Sequence, residues 1–352
     1  MHFKTLGRTG LRVSEVALGT GTFGTAWGWG ADRAESKAIF DAFAKAGGNF
    51  IDSANGYQNG QAEEFIGEFV KSERQNFIVN TKYSGPSTPN PGVAVTGNSR
   101  KSMMWALETC LKRLGTDYVD VFMVHFADGL TPIEEILRGF EEVVRAGKAL
   151  YVGFSDFPAW RIARGATLAE LRSLPVAAIQ VEYSLAERTA ERELFPMAEG
   201  LGLGATLWSI IGGGVLSGKY RKAGTEGRLN HGLGIVYAER EDNKKRILDT
   251  VEAVAGEIGA GPAQVAIAWV RAQAARRKTS IIPILGARTL KQFEENLGAL
   301  SLGLSAEQLS RLDEASAIPA GFPHELLATE TIRNLGFSGR WDKIEPPKYP
   351  VA

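Results

Sequence analysis

Four side chains able to hold or pass a proton stand at the ends of three short apolar runs. Asp52 closes Asn49-Phe50-Ile51, and Tyr57 follows it across the small-residue loop Ser53-Ala54-Asn55-Gly56. Lys82 follows Phe77-Ile78-Val79-Asn80-Thr81, and His125 follows Val121-Phe122-Met123-Val124. An acid at the end of a buried run is costly unless something pairs with it, and Lys82 is the partner on offer. Taken singly, Asp52 reads as a cap or turn former, His125 as a satisfied core residue and Tyr57 as packing. Together, at corresponding places in successive units, they read as one proton-transfer site. A carbonyl reduced by hydride needs a proton at its oxygen as charge develops. A phenol has a reference pKa of about 10, too high for ready exchange at neutral pH. An adjacent ammonium lowers it by stabilising phenolate. Lys82 fits that role, Asp52 keeps Lys82 charged, and His125 can donate to the carbonyl oxygen.

The elements that carry these groups alternate. Phe3-Lys4-Thr5-Leu6 and Leu11-Arg12-Val13 flank Gly7-Arg8-Thr9-Gly10, which predicts a hairpin. Strands are then expected at 16–18, 49–52, 77–81, 119–124, 150–154, 178–181, 204–207 and 280–283. Helices are expected between them, the first capped by Asp32 with Glu35 three positions on. Further helices are expected near 61–71, 99–114, 158–173, 191–201, 243–258 and 263–275, and after Thr289. Thr131-Pro132-Ile133-Glu134 reads as a capping box, as do Thr289 with Gln292 and Ser305 with Gln308. Eight such units fit a (β/α)8 barrel, preceded by the β-hairpin and carrying extra helices and loops on its C-terminal side. The rival is an open doubly wound sheet. Gly19, Gly21 and Gly24 spell its glycine fingerprint, but Trp27-Gly28-Trp29-Gly30 follows where that fold needs a helix. The whole chain, 1–352, reads as a single barrel domain, with the tail 317–352 expected near a substrate pocket.

Lys+Arg 40 balance Asp+Glu 40, so bulk charge points to neither nucleic acid nor an acidic membrane. The single cysteine, Cys110, sits at helical spacing with Met103, Leu107, Leu111 and Leu114 and reads as core. No metal-ligand spacing is visible, and no apolar run reaches the ~18 residues of a membrane span. A cytoplasmic, reducing location is the expectation.

The chain resembles the aldo-keto reductase superfamily from about Lys4 to Leu312. Leu6-Gly7-Arg8-Thr9-Gly10-Leu11, Asn49-Phe50-Ile51-Asp52, Lys112-Arg113-Leu114-Gly115-Thr116-Asp117-Tyr118-Val119-Asp120 and Gly147-Lys148 before Tyr151-Val152-Gly153-Phe154-Ser155 carry the likeness. The resemblance implies a catalytic tetrad of Asp52, Tyr57, Lys82 and His125. It implies reversible, NADPH-linked reduction of an aldehyde or ketone, with Tyr57 as general acid. NADP(H) is the preferred cofactor and NAD(H) a possible one, since Ile284 follows Pro283 where some relatives carry a lysine.

Matching positions imply the cofactor contacts. Gly21 and Thr22 follow the first barrel strand, and Asp52 is shared with the tetrad. Ser155, Asp156 and Gln180 stand where the carboxamide is bound, Asp156 replacing the usual asparagine. Ionised aspartate only accepts hydrogen bonds, and its charge favours the oxidised ring. Trp208 stands where an aromatic stacks on the nicotinamide. Ser209, Ile210, Gly212, Gly214, Leu216, Gly218 and Lys219 resemble a pyrophosphate belt. Gly286, Arg288, Gln292, Glu295 and Asn296 match the adenosine 2′-phosphate and adenine positions, where a guanidinium fork suits phosphate. Trp27, Trp29, Tyr57, Tyr83, His125 and Phe126 are the expected substrate contacts. The excursion 219–242 and the Pro-rich segment 346–350 lie in regions where such proteins vary most. A partner other than a small carbonyl or alcohol is not implied, and the oligomeric state stays open. Two rival readings are a cofactor-binding, redox-sensing auxiliary subunit with little turnover, and a cofactor-free lyase using Lys82 as a Schiff base.

Overall fold

The computed structural model describes residues 1–221 and 241–345. Most of the excursion 219–242 and the segment 346–350 therefore lie outside the described residues. An antiparallel hairpin, β1 (Phe3–Thr5) with β2 (Arg12–Ser14), precedes a closed barrel. Its parallel strands are β3 (Ala17–Gly19), β4 (Phe50–Asp52), β5 (Ile78–Tyr83), β6 (Val119–Val124), β7 (Ala149–Ser155), β8 (Val176–Glu182), β9 (Gly204–Trp208) and β10 (Ile281–Gly286). They run in chain order around the ring, and β10 closes on β3. This is the (β/α)8 architecture that the alternation predicts.

The jacket comprises α1 (Arg33–Lys45), α2 (Gln61–Val70), α3 (Arg100–Leu114), α4 (Ile133–Arg145), α5 (Ala159–Glu170) and α6 (Leu194–Leu201). It continues with α7 (Glu241–Ile258), α8 (Pro262–Ala275), α9 (Leu290–Gly298) and α10 (Ala306–Ala315). Two short helices, α11 (His324–Leu327) and α12 (Glu330–Phe337), follow with no buried residue between them. No single helix among the described residues is long and apolar enough to cross a membrane.

Period-2 alternation sorts each strand into two cores. Phe50, Val121, Met123, Ala178 and Ile282 face the barrel interior together with Leu6 and Val13 of the hairpin region. Ile51, Val79, Phe122, Val124 and Phe154 pack outward against the helices. The hairpin thus plugs the amino end of the barrel: Gly7 N donates to Ser280 Oγ at 2.9 Å and Arg8 N to Gly202 O at 2.8 Å. The carboxyl end stays open.

Caps follow the sequence in part. Asp32 Oδ1 accepts from Glu35 N at 2.9 Å, and Ser305 with Gln308 forms a full capping box. Thr131 does not cap α4. Its hydroxyl donates to Asp128 Oδ2 at 2.7 Å, and Pro132 takes the cap position. Asp128 also accepts from the backbone of Asn98, Leu130 and Thr131, so it out-competes the helix end for that side chain. Thr289 caps α9 through Gln292 N at 3.2 Å, but Gln292 Oε1 accepts from Arg288 N instead of completing the box.

Candidate active site

Asp52, the last residue of β4, lies beside Asn80 in the parallel register with β5. Two residues further along β5, on the same inward face, Lys82 is wholly buried. Its Nζ donates to Asp52 Oδ2 at 2.8 Å and to Ser53 O at 2.7 Å. Asp52 Oδ1 accepts from Asn80 Nδ2 at 2.6 Å and from Gln180 Nε2 at 2.8 Å. A buried ion pair persists only where such additional hydrogen bonds satisfy the remaining lone pairs. Burial pulls the lysine pKa down, but the charges and hydrogen bonds of Asp52 and Tyr57 outweigh it, and Lys82 lies above its ordinary value. The ammonium stands 5.3 Å from the centroid of the Tyr57 ring.

His125 follows β6 and meets Tyr57 edge to face, ring centroids 5.7 Å apart at 74°. Burial, helped by the nearby Lys82 charge, lowers its pKa to about 3. Its imidazole is therefore neutral at physiological pH and keeps one N–H to donate. The tetrad converges at the carboxyl end of the barrel, where this architecture gathers its chemistry.

The loop that bears Tyr57 is tied down from behind. Asn55 N donates to Lys82 O at 3.0 Å, and Asn55 Nδ2 to Ser87 Oγ at 2.6 Å. Arg113 on α3 donates to Asn55 O at 2.8 Å and also to Ser87 O, so one guanidinium spans the loops after β4 and β5. Its counter-charge is Glu63 on α2, at 3.3 Å, wholly buried and accepting from Thr81 Oγ1 at 2.6 Å. Gly60 must be glycine here: its φ is +99°, and a Cβ would stand 2.2 Å from Arg113 Cζ. Sequence reasoning passed over Asn55, Glu63 and Arg113 as site residues. Nothing local marks them: Asn55 sits in a small-residue loop, and Glu63 and Arg113 each have a charged neighbour on an amphipathic helix.

The opposite wall is less enclosed. Asp156 follows β7 with φ +50°, a conformation that Asp and Asn adopt more readily than other residues with side chains. Its Oδ1 accepts from Trp208 Nε1 at 3.0 Å and its Oδ2 from Ser155 Oγ at 3.3 Å. One face of Asp156 opens to the cavity, but protein surrounds the rest and burial pushes its carboxyl up to about 6. Gln180 spends Nε2 on Asp52 and on Thr206 Oγ1, which leaves its oxygen as the available acceptor.

A single cavity of about 1210 Å³ joins these walls. Tyr57, His125, Asp156, Gln180 and Trp208 line it, as do Ser209, Ile210, Gly214 and Lys219. Gly21 and Thr22 lie on the wall, and Gly286, Arg288, Gln292 and Asn296 line its far end. Trp27, Trp29 and Phe126 stand at the tetrad end, and Ser316 to Pro319 bring the start of the tail to the rim. Ser155, Gly212, Leu216, Gly218 and Glu295 do not reach the lining and stand behind it. Tyr83 is not a wall residue either. One position beyond Lys82, it turns to the helix-facing side of β5, stacks on Phe122 at 5.3 Å and donates to Asn98 O.

Ligand sites are usually about 300–1,000 Å³, so this cavity has room for a dinucleotide with a small second molecule. Its donor set fits that occupant. The Ser209 hydroxyl is buried without a partner among the described residues. Gly213 and Gly214 hold φ +63° and +96° in a turn that brings backbone to the wall. Neither Lys219 nor Arg288 has an ion-pair partner among the described residues.

Fold and site together bring Asp52, Tyr57, Lys82 and His125 to the open end of a closed parallel barrel, beside a cavity that Lys219 and Arg288 also line. Comparison with known proteins agrees. The model of the Aldo/keto reductase family matches residues 15–317, and the chain belongs to that family. It is 34% identical to an aryl-alcohol dehydrogenase [NADP(+)] of Phanerodontia chrysosporium, over 95% of this chain and 91% of that protein. It is 32% identical to a norsolorinic acid reductase of Aspergillus flavus, over 90% and 81%. It is 36% identical to an uncharacterized oxidoreductase of Bacillus subtilis, over 93% and 100%.

Proposed function

We propose that the protein interconverts a carbonyl and its alcohol with NADP(H), and that its substrates are aryl aldehydes and aryl alcohols. The observation that carries the reading is Tyr57, backed by a buried ammonium and flanked by a neutral imidazole, opening into the cavity that Arg288 closes at the far end. Bound nicotinamide supplies or accepts the hydride. Tyr57 gives its proton to the developing alkoxide, and Lys82 stabilises the phenolate left behind. His125 donates to the carbonyl oxygen and sets its approach. Asp52 fixes Lys82 and keeps it charged. Asp156 and Gln180 hold the carboxamide end with Ser155 positioning Asp156 from behind, Trp208 packs on the ring, and the 209–219 turn with Arg288, Gln292 and Asn296 takes the phosphates and adenosine. A guanidinium with no ion-pair partner among the described residues suits the additional phosphate of NADP(H) over NAD(H).

Trp27 and Trp29, with ring centroids 6.0 Å apart, and Phe126 give the tetrad end an aromatic wall. Such a wall favours a planar aromatic substrate, the class named in the fungal aryl-alcohol relative. The lyase reading finds no support, because a Schiff-base lysine must be accessible and neutral, and Lys82 is wholly buried and paired. A non-catalytic auxiliary role is disfavoured by the intact tetrad and by relatives named for their reactions.

The test is single-turnover reduction of an aryl aldehyde at saturating NADPH, wild type against Tyr57→Phe. Loss of turnover with nucleotide binding retained supports the assignment. An undiminished rate in the variant removes Tyr57 as the acid.

A further inference from the structure

We infer that Asp156 selects the redox state of the cofactor, its carboxylate making the cavity hold the oxidised, cationic nicotinamide more tightly than the reduced, neutral one. This rests on the reading of the site as an NADP(H) oxidoreductase and deepens it. A hydride donor must reach a carbonyl whose oxygen meets Tyr57 and His125. It must therefore enter the part of the cavity that Tyr57, Gln180, Asp156 and Trp208 share. Asp156 brings an acidic group to that wall, and its position is fixed. The Trp208 indole and the Ser155 hydroxyl hold one oxygen each.

Neither partner neutralises the carboxylate, since both are uncharged donors. The Lys82 ammonium is committed to Asp52 at 2.8 Å. Asp156 is thus a charge within the redox end of the cavity that its own neighbours have not cancelled. An ion at that place distinguishes two forms of one ligand that differ by a single positive charge. In a partly enclosed site the distinction is worth about tenfold in affinity or more. An amide of the same shape keeps one acceptor for the Trp208 indole, can donate to Ser155 Oγ with its nitrogen, and lacks the charge.

Among the described residues, the charge that acts on Asp156 is Lys82 from β5, and the titratable groups Asp52 from β4 and Tyr57 and His125 from the loops after β4 and β6 line the same cavity. Lys82 lies above its ordinary pKa, and His125 falls to about 3. Neither changes charge across the range in which Asp156, at about 6, takes up its proton. The preference for the oxidised nucleotide is therefore full well above that pH and fades below it.

The experiment is calorimetric titration of NADP+ and of NADPH into wild type and Asp156→Asn, at about pH 8 and about pH 5. Asparagine also suits a positive φ, so the variant retains the local backbone. The expected result at the higher pH is a ratio of NADP+ to NADPH affinity that drops about tenfold in the variant. In wild type the ratio falls on acidification, and in the variant it does not. An unchanged ratio in the variant overturns the role of Asp156. So does a wild-type ratio that ignores pH, and this second arm needs no variant to fold. Failure of wild type to bind either nucleotide overturns instead the reading on which the role rests.

Discussion

The two walls of the cavity are prepared differently. On the β4–β6 side, both carboxylate oxygens of Asp52 are occupied, the Lys82 ammonium is shared between Asp52 and Ser53, and Arg113 locks the loops above them. On the β9–β10 side, among the described residues, the Ser209 hydroxyl is buried without a partner, and Lys219 and Arg288 have no counter-ion. The first wall has its charges paired before any ligand arrives, although Ser53 Oγ, Asn55 Oδ1 and Asn80 Oδ1 are buried there without a partner among the described residues. The second is completed by a ligand. Preorganised charge lowers a barrier because nothing has to reorganise at the moment of reaction. Donors held in reserve bind, because their partners come with the ligand. Substitutions that break the ion pair of the first wall should therefore damage rate and stability together, and those on the second should damage affinity alone.

The sharpest test of that division is Lys82→Met. It should slow hydride transfer by the ~10²-fold or more expected for a lost acid, since the phenolate left behind loses the ammonium that stabilises it. It should also cost about 3–5 kcal/mol of stability by stranding Asp52 without its counter-charge. Stopped-flow reduction and urea unfolding measure the two losses, and a variant as stable as wild type would show that the pair is not buried in the sense described. Tyr57→Phe should lose a similar factor in rate with little change in stability, because it removes one oxygen and keeps the ring.

Arg288→Ala should weaken NADP(H) by about tenfold or more, the worth of a charge-assisted hydrogen bond to phosphate, and leave NAD(H) nearly unchanged. Thermal unfolding should not move. Equal losses for both nucleotides would mean that Arg288 only holds its loop.

The smallest effect expected is on the pH dependence of stability. His125 is lowered from 6.5 to about 3 in the folded protein. As pH falls below 6.5, the unfolded chain takes a proton that the folded one refuses, so stability is lost progressively down to about 3. Asp156 acts in the opposite sense: raised from 3.8 to about 6, it favours the folded state as pH falls through that window. His125→Gln should flatten the acid side of a melting-temperature profile. A profile identical to wild type would contradict the lowered pKa of that half-buried ring.

Much of the first wall was legible in the sequence, because a parallel barrel fixes which end of each strand carries chemistry, and Asp52, Lys82 and His125 all close apolar runs. Strand count and hairpin follow from the same alternation. Tyr83 was misplaced as a substrate contact because its type was weighed and its parity was not: adjacent to Lys82, it has to face the other way. Thr131 looked like a helix cap because a capping box is a local pattern, while the competing acceptor Asp128 is set by the loop it organises. Glu63 and Arg113 were invisible for a related reason. Each is ordinary on an amphipathic helix, and only the packing of α2 on α3 brings them together under Asn55.

The bridge made by Arg113 has a consequence for how this family of sites can be remodelled. The loop after β4 carries the acid, and the loop after β5 forms part of the mouth beside it through Gly85 and Pro86. Because a single guanidinium grips a carbonyl of each, the two loops share one mechanical reference on α3. A mouth loop imported from a relative would pull on that reference and displace Tyr57 even if it never touched the substrate. Substrate range on this side of the barrel is then heritable only as a block, with Asn55, Gly60, Glu63, Ser87 and Arg113 travelling together, whereas the Trp27–Trp29 loop answers to a second anchor, Gln58, which accepts from Trp27 N at 3.0 Å and donates to Trp29 O at 3.1 Å.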